Sequence, residues 1–144
     1  SLLVAPGYAG NAQFEHIFAT GGTIGRVVDL GITDASNMGA AMAPAAADTL
    51  AAHLREKECS VTDYDVIVTG DLGRFGSEMF AELCRDKGID LANRHQDCGN
   101  MIFSPAQKVD CGGSGCGCSA VTLNAYLLKR ETLPACSLWP PAHL

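Results

Sequence analysis

The chain has 144 residues, 47% of them hydrophobic, and a formal net charge of −6. This length and apolar content are typical of one folded domain and exclude an intrinsically disordered chain. The basic residues are scattered and form no stripe that would follow a phosphate backbone, so nucleic acid is not an expected partner. The apolar runs are far shorter than the ~20 residues that a transmembrane helix needs, and no signal peptide is visible.

The amino terminus has the pattern of a chain that is cut within a strand. Ser1 leads directly into an apolar run, with no initiator Met and no basic segment. We interpret residues 1–5 as this short buried strand and residues 8–16 as a polar loop. Residues 17–32 are β-branched and interrupted by glycines, which predicts strand and turn.

A first helix is predicted around Pro44. Proline fits the first helical turn, where its missing N–H costs nothing, and the small apolar residues 37–43 precede it. Arg55 and Lys57 suit the carboxyl-terminal end of this helix because cations stabilise the negative end of the helix dipole. Its predicted inner face consists of Ala47, Leu50, Ala51 and Leu54.

The middle of the chain predicts a strand, a turn and a helix in succession. Residues 64–68 form an apolar run that predicts a strand, and residues 69–73 predict the turn that follows it. A second helix is predicted over residues 75–87, and Gly88 lies where a left-handed C-cap belongs. The predicted inner face of this helix consists of Met79, Phe80 and Leu83.

The last third predicts a short strand at residues 101–103, a Gly/Cys loop at residues 111–117 and a third helix at residues 119–130. The alternation of strands and helices predicts an α/β fold with a layered sheet. The inner face of the third helix is drawn from Val121, Leu123, Leu127 and Leu128.

The Gly-rich loop is the most informative local pattern. Four glycines in residues 112–117 let the backbone approach a ligand or another strand closely. The loop enters a helix amino terminus, where free N–H groups and the helix dipole favour a carboxylate. Spacing alone favours the other interpretation, a tight crossover with buried cysteines that act as small hydrophobes. No Lys-Ser/Thr follows the glycines, so the loop is not a P-loop. The candidate ligand-binding residues are Gly113, Ser114, Gly115, Cys116, Gly117, Cys118 and Ser119.

The seven cysteines are an odd number, and with no secretory signal we expect reduced thiols. A metal site built from Cys98, Cys111, Cys116 and Cys118 is conceivable, but the Cys-x-Cys spacing does not match the common zinc pair. A redox pair stays open, as does a catalytic thiol at the helix amino terminus, which would need a base. His16, His53 and His95 are expected to face solvent.

Polar residues also follow the predicted strands. Thr69, Gly70 and Asp71 end the strand at the edge where open α/β sheets bind ligands. Taken on its own, Asp71 fits a helix N-cap or a turn former slightly better. Cys98, in the sequence Asp-Cys-Gly before residues 101–103, has the same two interpretations. These four residues complete the candidate ligand-binding set: Thr69, Gly70, Asp71 and Cys98.

Over about residues 20–130 these segments together resemble the stage V sporulation protein AD family. The resemblance rests on long, ordered motifs rather than on one Gly-rich loop. The motifs are residues 23–29 (TIGRVVD), 31–34 (GITD), 37–48 (NMGAAMAPAAAD), 64–73 (YDVIVTGDLG), 97–99 (DCG) with Met101 and Ile102, and 112–121 (GGSGCGCSAV).

The resemblance implies a thiolase-like layered fold, a mixed sheet packed with helices, in which two similar halves enclose a pocket. It implies a protein that binds dipicolinic acid and helps to move its calcium complex into the developing spore, without a thiolase reaction. It also implies a homodimer at full length, other stage V sporulation A proteins as partners, and a place at the periphery of the spore inner membrane. The nucleophilic Cys of related enzymes lies in the amino-terminal half, so this incomplete carboxyl-terminal half is not expected to be an enzyme.

The candidate residues suit this ligand. Backbone N–H groups at residues 112–119 can accept one carboxylate of dipicolinate, and a crevice lined by small residues suits its ring. No cofactor or resident metal is expected. Two alternatives remain, a fragment of a thiolase-like acyltransferase and a redox or metal-binding module based on Cys111, Cys116 and Cys118.

The resemblance ends after Arg130, and we divide the chain there. Residues 1–130 are interpreted as a partial thiolase-like carboxyl-terminal domain, and residues 131–144 as a tail. The tail has the chain's only Trp, several prolines and no strand pattern. Codons for these residues, read one base out of frame, can encode an apolar strand that ends in Gly. A frameshifted or prematurely ended reading frame is therefore our hypothesis for this segment.

Overall fold

The structure is a computed structural model that describes residues 21–104, 106, 107, 109, 116–127 and 136–138. Among these residues, no helix is both long and apolar enough to cross a membrane. A 3-10 turn at Val61–Asp63 precedes the first strand. The other elements are α1 (Met38–Glu56), β1 (Val66–Thr69), α2 (Gly73–Asp86), β2 (His95–Asp97), α3 (Cys98–Ile102), α4 (Cys116–Ala125) and β3 (Cys136–Leu138).

The described strands form one parallel sheet in the order β2–β1–β3. Ile67 in β1 pairs with His95 in β2 and with Ser137 in β3. Parallel strands need a crossover, and α2 provides it between β1 and β2. The predicted α/β class is confirmed. The predicted mixed sheet is wrong for the described strands, which are all parallel, and the thiolase-like form of the whole protein stays a prediction.

Strand β1 is buried on both faces, which explains its unbroken apolar sequence. Ile67 faces the helix pair α1 and α2, where it belongs to the same core as Leu50 and Phe80. Val66 and Val68 are in a second core, with Cys98, Cys118 and Leu127, on the side of α3 and α4. The sheet is therefore covered by helices on both sides.

Helix α1 begins earlier than the sequence predicts. The Asn37 side chain accepts a hydrogen bond from the N–H of Ala40 at 3.2 Å, which caps the helix at Met38. Pro44 consequently lies inside the helix rather than in its first turn. Because proline has no backbone N–H, the helix lacks the hydrogen bond from residue 44 to the carbonyl of Ala40.

Helices α1 and α2 touch through glycines and run parallel. A Cβ atom on Gly39 would collide with the carbonyl oxygen of Leu72 and come within 3.3 Å of Cα of Gly76. Near the other end of the pair, Asp48 of α1 lies 3.7 Å from Lys87, which follows α2. The two amino-terminal ends therefore lie together, and so do the two carboxyl-terminal ends.

The strand predicted within residues 17–32 is wrong for the described part, since residues 21–32 have no regular structure. Side chains hold this segment against α1, with Thr23 Oγ1 2.8 Å from His53 Nδ1 and Arg26 bonded to Asp48. A strand needs a neighbour to receive its backbone hydrogen bonds, and no described strand lies beside this segment. Residues 1–20, with the predicted first strand and loop, lie outside the described residues.

Helix α2 is predicted correctly, apart from its start at Gly73, and Gly88 has the expected left-handed φ of 75°. The strand predicted at residues 101–103 is wrong, because Asp97 caps the short helix α3 there instead. Helix α4 starts earlier than predicted, at Cys116. The helix ends at Ala125, so the buried Leu127 follows it, and Val121 is not on the inner face, since it is 59% exposed.

The tail contains a strand, contrary to the sequence-based interpretation. Cys136–Leu138 pair in parallel with Val66, Ile67 and Val68. Backbone groups make these hydrogen bonds, so a segment without an apolar pattern can occupy the edge of a sheet. The remaining tail residues, 131–135 and 139–144, lie outside the described residues, and the frameshift stays a hypothesis.

Candidate functional site

Asp97 forms hydrogen bonds to three segments at the carboxyl-terminal edge of the sheet. It is 2% exposed, and its Oδ1 accepts hydrogen bonds from Thr69 Oγ1 at 2.7 Å and from the N–H of Leu72 at 2.8 Å. Its Oδ2 accepts from the N–H of Gly73 at 3.0 Å and of Asn100 at 3.2 Å. One carboxylate therefore holds the end of β1, the start of α2 and the start of α3 in fixed positions.

His95 extends this network into the core, so the expectation that it faces solvent is wrong. Its Nε2 lies 2.8 Å from Thr69 Oγ1, and its ring packs against Phe80 with the ring centroids 4.7 Å apart. Burial lowers the pKa of His95, against the opposing effect of the Asp97 charge. His53 is also half-buried, with its Nε2 2.6 Å from the Tyr64 hydroxyl.

Asp71 is a second buried carboxyl group at this edge, with 3% exposure. A Cβ atom on Gly99 would collide with Asp71 Oδ1 and lie 3.0 Å from Asp97 Oδ2, so both carboxyl groups converge on this glycine. The suggestion that Asp71 caps α2 is wrong. The N-cap residue is Leu72, whose side chain makes no cap. The carboxylate of Asp97 instead accepts hydrogen bonds from the N–H groups of Leu72 and Gly73.

Two thiols lie beside these carboxyl groups. Cys98 is fully buried and Cys118 is 5% exposed. Burial, reinforced by the charges of Asp97 and Asp71, raises the pKa of Cys98 to about 12 and that of Cys118 to about 11. The Thr122 hydroxyl lies near enough to both sulfur atoms to lower each pKa slightly, without the geometry of a regular hydrogen bond. Both thiols stay protonated at neutral pH, so neither is activated as a nucleophile.

We expect Cys98 and Cys118 to resist alkylation in the folded chain. A thiol with a pKa of about 12 is ionised in only ~0.01% of molecules at pH 8. Cys59 is half-buried and serves as the internal reference. Iodoacetamide labelling at pH 8, with peptide mapping by mass spectrometry, should modify Cys59 at least ~10-fold faster than the two buried thiols. Equal rates in the native chain would show that the site is open and its thiols reactive.

The fold brings together most of the predicted site residues that it describes. Thr69, Gly70, Asp71, Cys98 and Cys118 are all buried at the carboxyl-terminal edge of β1 and β2. Cys116 begins α4. In the first turn of this helix, Gly117 is exposed and Ser119 is half-buried. The predicted residues Gly113, Ser114 and Gly115 lie outside the described residues.

Three side chains at this edge were missing from the predicted set: His95, Asp97 and Thr122. Asp97 carried a detectable signal, since Asp is a preferred N-cap residue, whose side chain accepts a backbone N–H two or three residues later. His95 and Thr122 carried none, because their positions depend on neighbours far away in the sequence. In the described part of the chain, no three His, Cys, Asp or Glu side chains are arranged to hold a metal ion.

Fold and site define an α/β protein with a parallel sheet whose polar side chains gather at its carboxyl-terminal edge. The family profile of stage V sporulation protein AD matches residues 9–134. The chain is also 46% identical, over 111 residues, to stage V sporulation protein AD of Bacillus subtilis (strain 168). The chain therefore belongs to the stage V sporulation protein AD family, which implies a role in sporulation. The match covers 77% of this chain and 33% of the relative, so the chain spans about a third of that protein's length.

Proposed function

We propose that this chain forms part of a binding site for dipicolinic acid in a non-catalytic sporulation protein. The protein would deliver dipicolinate, free or as its calcium complex, to the developing spore. The observation that carries the proposal is the buried network of Asp97, which fixes the starts of α2 and α3 at one edge of the sheet. Ligands of parallel α/β sheets bind at this edge.

The chemistry of dipicolinate agrees with this edge. The ligand has a flat aromatic ring and two carboxylates. Helix α4 begins at Cys116, directly after the Gly-rich sequence of residues 112–115, and a helix amino terminus stabilises a carboxylate through its free N–H groups and dipole. The buried thiol groups of Cys98 and Cys118 are neutral at physiological pH, so they are compatible with an uncharged ring.

We infer that neither Cys98 nor Cys118 is an acyl-transfer nucleophile at this edge. A thiolase-like reaction needs a thiolate nucleophile, and the site described here holds both of its thiols neutral. Because the chain spans about a third of its relative, we propose that other segments complete the pocket. We also propose a homodimer at the periphery of the spore inner membrane, with other stage V sporulation A proteins as partners.

Calorimetric titration with dipicolinate tests the proposal on a polypeptide of full family length that contains these residues. We expect saturable binding, and Gly117→Asp should weaken it at least ~10-fold, since a carboxylate in the first turn of α4 repels the ligand. The same acidic residue stabilises the helix amino terminus, so loss of binding cannot be ascribed to unfolding of α4.

Asn124→Asp is the matched control, because it introduces a carboxylate at the other end of the same helix, at an exposed position. It should leave the affinity within about twofold of the parent, since the exposed charge is screened over the length of the helix. Absence of binding at millimolar dipicolinate rejects the proposed ligand. Equal affinities of the parent and Gly117→Asp would move the site away from α4.

A further inference from the structure

A groove with apolar walls and an acidic rim lies beside the first three turns of α2. Its volume is about 520 Å³. The segment of residues 32–37 and the start of α1 form one side of the groove, and α2 forms the other. We call this surface the acidic groove.

The walls of the acidic groove are apolar. Ala40 is buried, and the side chains of Ile32 and Met79 are half-buried. Phe75 lies one turn before Met79 on α2 and is 56% exposed. Leaving this much aromatic surface in water is unfavourable. An exposed aromatic side chain in a concave surface is a typical anchor of a protein–protein interface, so the groove has the features of a docking surface.

All the charged side chains that line the acidic groove are acidic: Asp34, Glu78 and Glu82. Glu78 and Glu82 lie one turn apart on α2, and neither forms an ion pair with a described residue. Arg74 lies one turn before Glu78 but forms no ion pair with it either. Like charges at this spacing destabilise a helix, so cations from a partner would stabilise α2 as well as the complex.

We propose that the acidic groove binds a basic amphipathic helix of a partner protein. An apolar side chain of the partner packs against Phe75 and Met79, and flanking Lys or Arg side chains pair with Glu78 and Glu82. The two carboxylates are one helical turn apart, which is also the spacing of basic residues at positions i and i+4 of a helix that lies along α2. The groove shares no residue with the candidate site, so the proposal does not depend on dipicolinate.

Fluorescence anisotropy of a labelled synthetic peptide tests the proposal on the full chain. The peptide has about 18 residues, enough to form a helix, with leucines along one face and lysines beside them. We expect saturable binding at about 10–100 µM. Glu78→Lys with Glu82→Lys should weaken this binding at least ~10-fold, because attraction becomes repulsion. Phe75→Ser should weaken it at least ~5-fold through loss of the apolar anchor.

Two further peptides separate charge from helical structure. One has glutamate in place of every lysine. The parent chain should bind it at least ~10-fold more weakly than the basic peptide, whereas Glu78→Lys with Glu82→Lys should prefer it, which also shows that this variant is folded. The other peptide keeps the lysines but has a central proline, which breaks the helix, and should bind the parent at least ~10-fold more weakly.

Glu56→Lys with Asp86→Lys is the matched control. It changes the net charge by the same amount, at exposed positions near the carboxyl-terminal ends of α1 and α2 that do not line the acidic groove. Its affinity for the basic peptide should stay within about twofold of the parent. No binding of the basic peptide at about 1 mM overturns the proposal, as does equal binding of the acidic or proline-containing peptide. Equal losses in the glutamate variant and the control also overturn it, because the attraction then belongs to the whole chain.

Discussion

Asp97→Ala is expected to lower the free energy of unfolding by roughly 4 kcal/mol, because buried N–H groups that lose their acceptor cost about 1–3 kcal/mol each. The N–H groups of Leu72 and Gly73 both donate to this carboxylate, at 2.8 and 3.0 Å. The Thr69 hydroxyl loses its acceptor too. Because Asp97 is 2% exposed, water reaches these groups only if the turn opens. Urea denaturation followed by circular dichroism measures the loss.

Asp90→Ala is the matched control for this prediction. Asp90 also accepts a backbone hydrogen bond, from the N–H of Ala92 at 3.0 Å, but in an exposed turn. Its replacement should change the stability by no more than about 0.5 kcal/mol. Asp97→Asn should fall between the two, since an amide keeps one acceptor oxygen. If Asp97→Ala lowers the free energy of unfolding by no more than Asp90→Ala does, the network does not fix the edge of the sheet.

Gly39→Ala is expected to destabilise the protein by about 3 kcal/mol, the upper part of the range for overpacking a tight contact. The new methyl group would meet the carbonyl oxygen of Leu72, which belongs to rigid backbone. Alanine in a helix is normally better than glycine by about 1 kcal/mol, so the expected sign is opposite to helix propensity. The midpoint of thermal unfolding should fall accordingly.

Gly22→Ala is the control for the helix contact, since a Cβ atom there has no neighbour within 4 Å. It should leave the stability unchanged or raise it by up to about 1 kcal/mol through the entropy of the unfolded chain. Gly76→Ala should reproduce the Gly39 effect, because its Cβ would lie 2.8 Å from Cα of Gly39. An unchanged midpoint for both helix variants would mean that α1 and α2 can separate at little cost.

Local sequence was sufficient for the elements whose signals lie within a few residues. The apolar run at residues 64–68 predicted β1, and Gly88 predicted the end of α2. Apolar spacing predicted most of α1 and α2, because helical hydrogen bonds join residues four apart and the buried face repeats with the helical period. The motifs at the ends of the strands led to the family and to the carboxyl-terminal edge of the sheet.

Tertiary structure decided the rest, because strands and caps depend on partners elsewhere in the chain. Residues 21–32 have a strand-like sequence, but no described strand lies beside them to pair with. Strands β2 and β3 have no apolar pattern, yet both pair with β1. The site follows the same rule. Asp97 is a short-range cap for α3, which sequence alone can suggest, but its bonds to Leu72 and Gly73 exist only because β1 and β2 are adjacent. Sequence by itself therefore determined the family and the main helices, and only the pairing of distant strands decided which polar side chains meet.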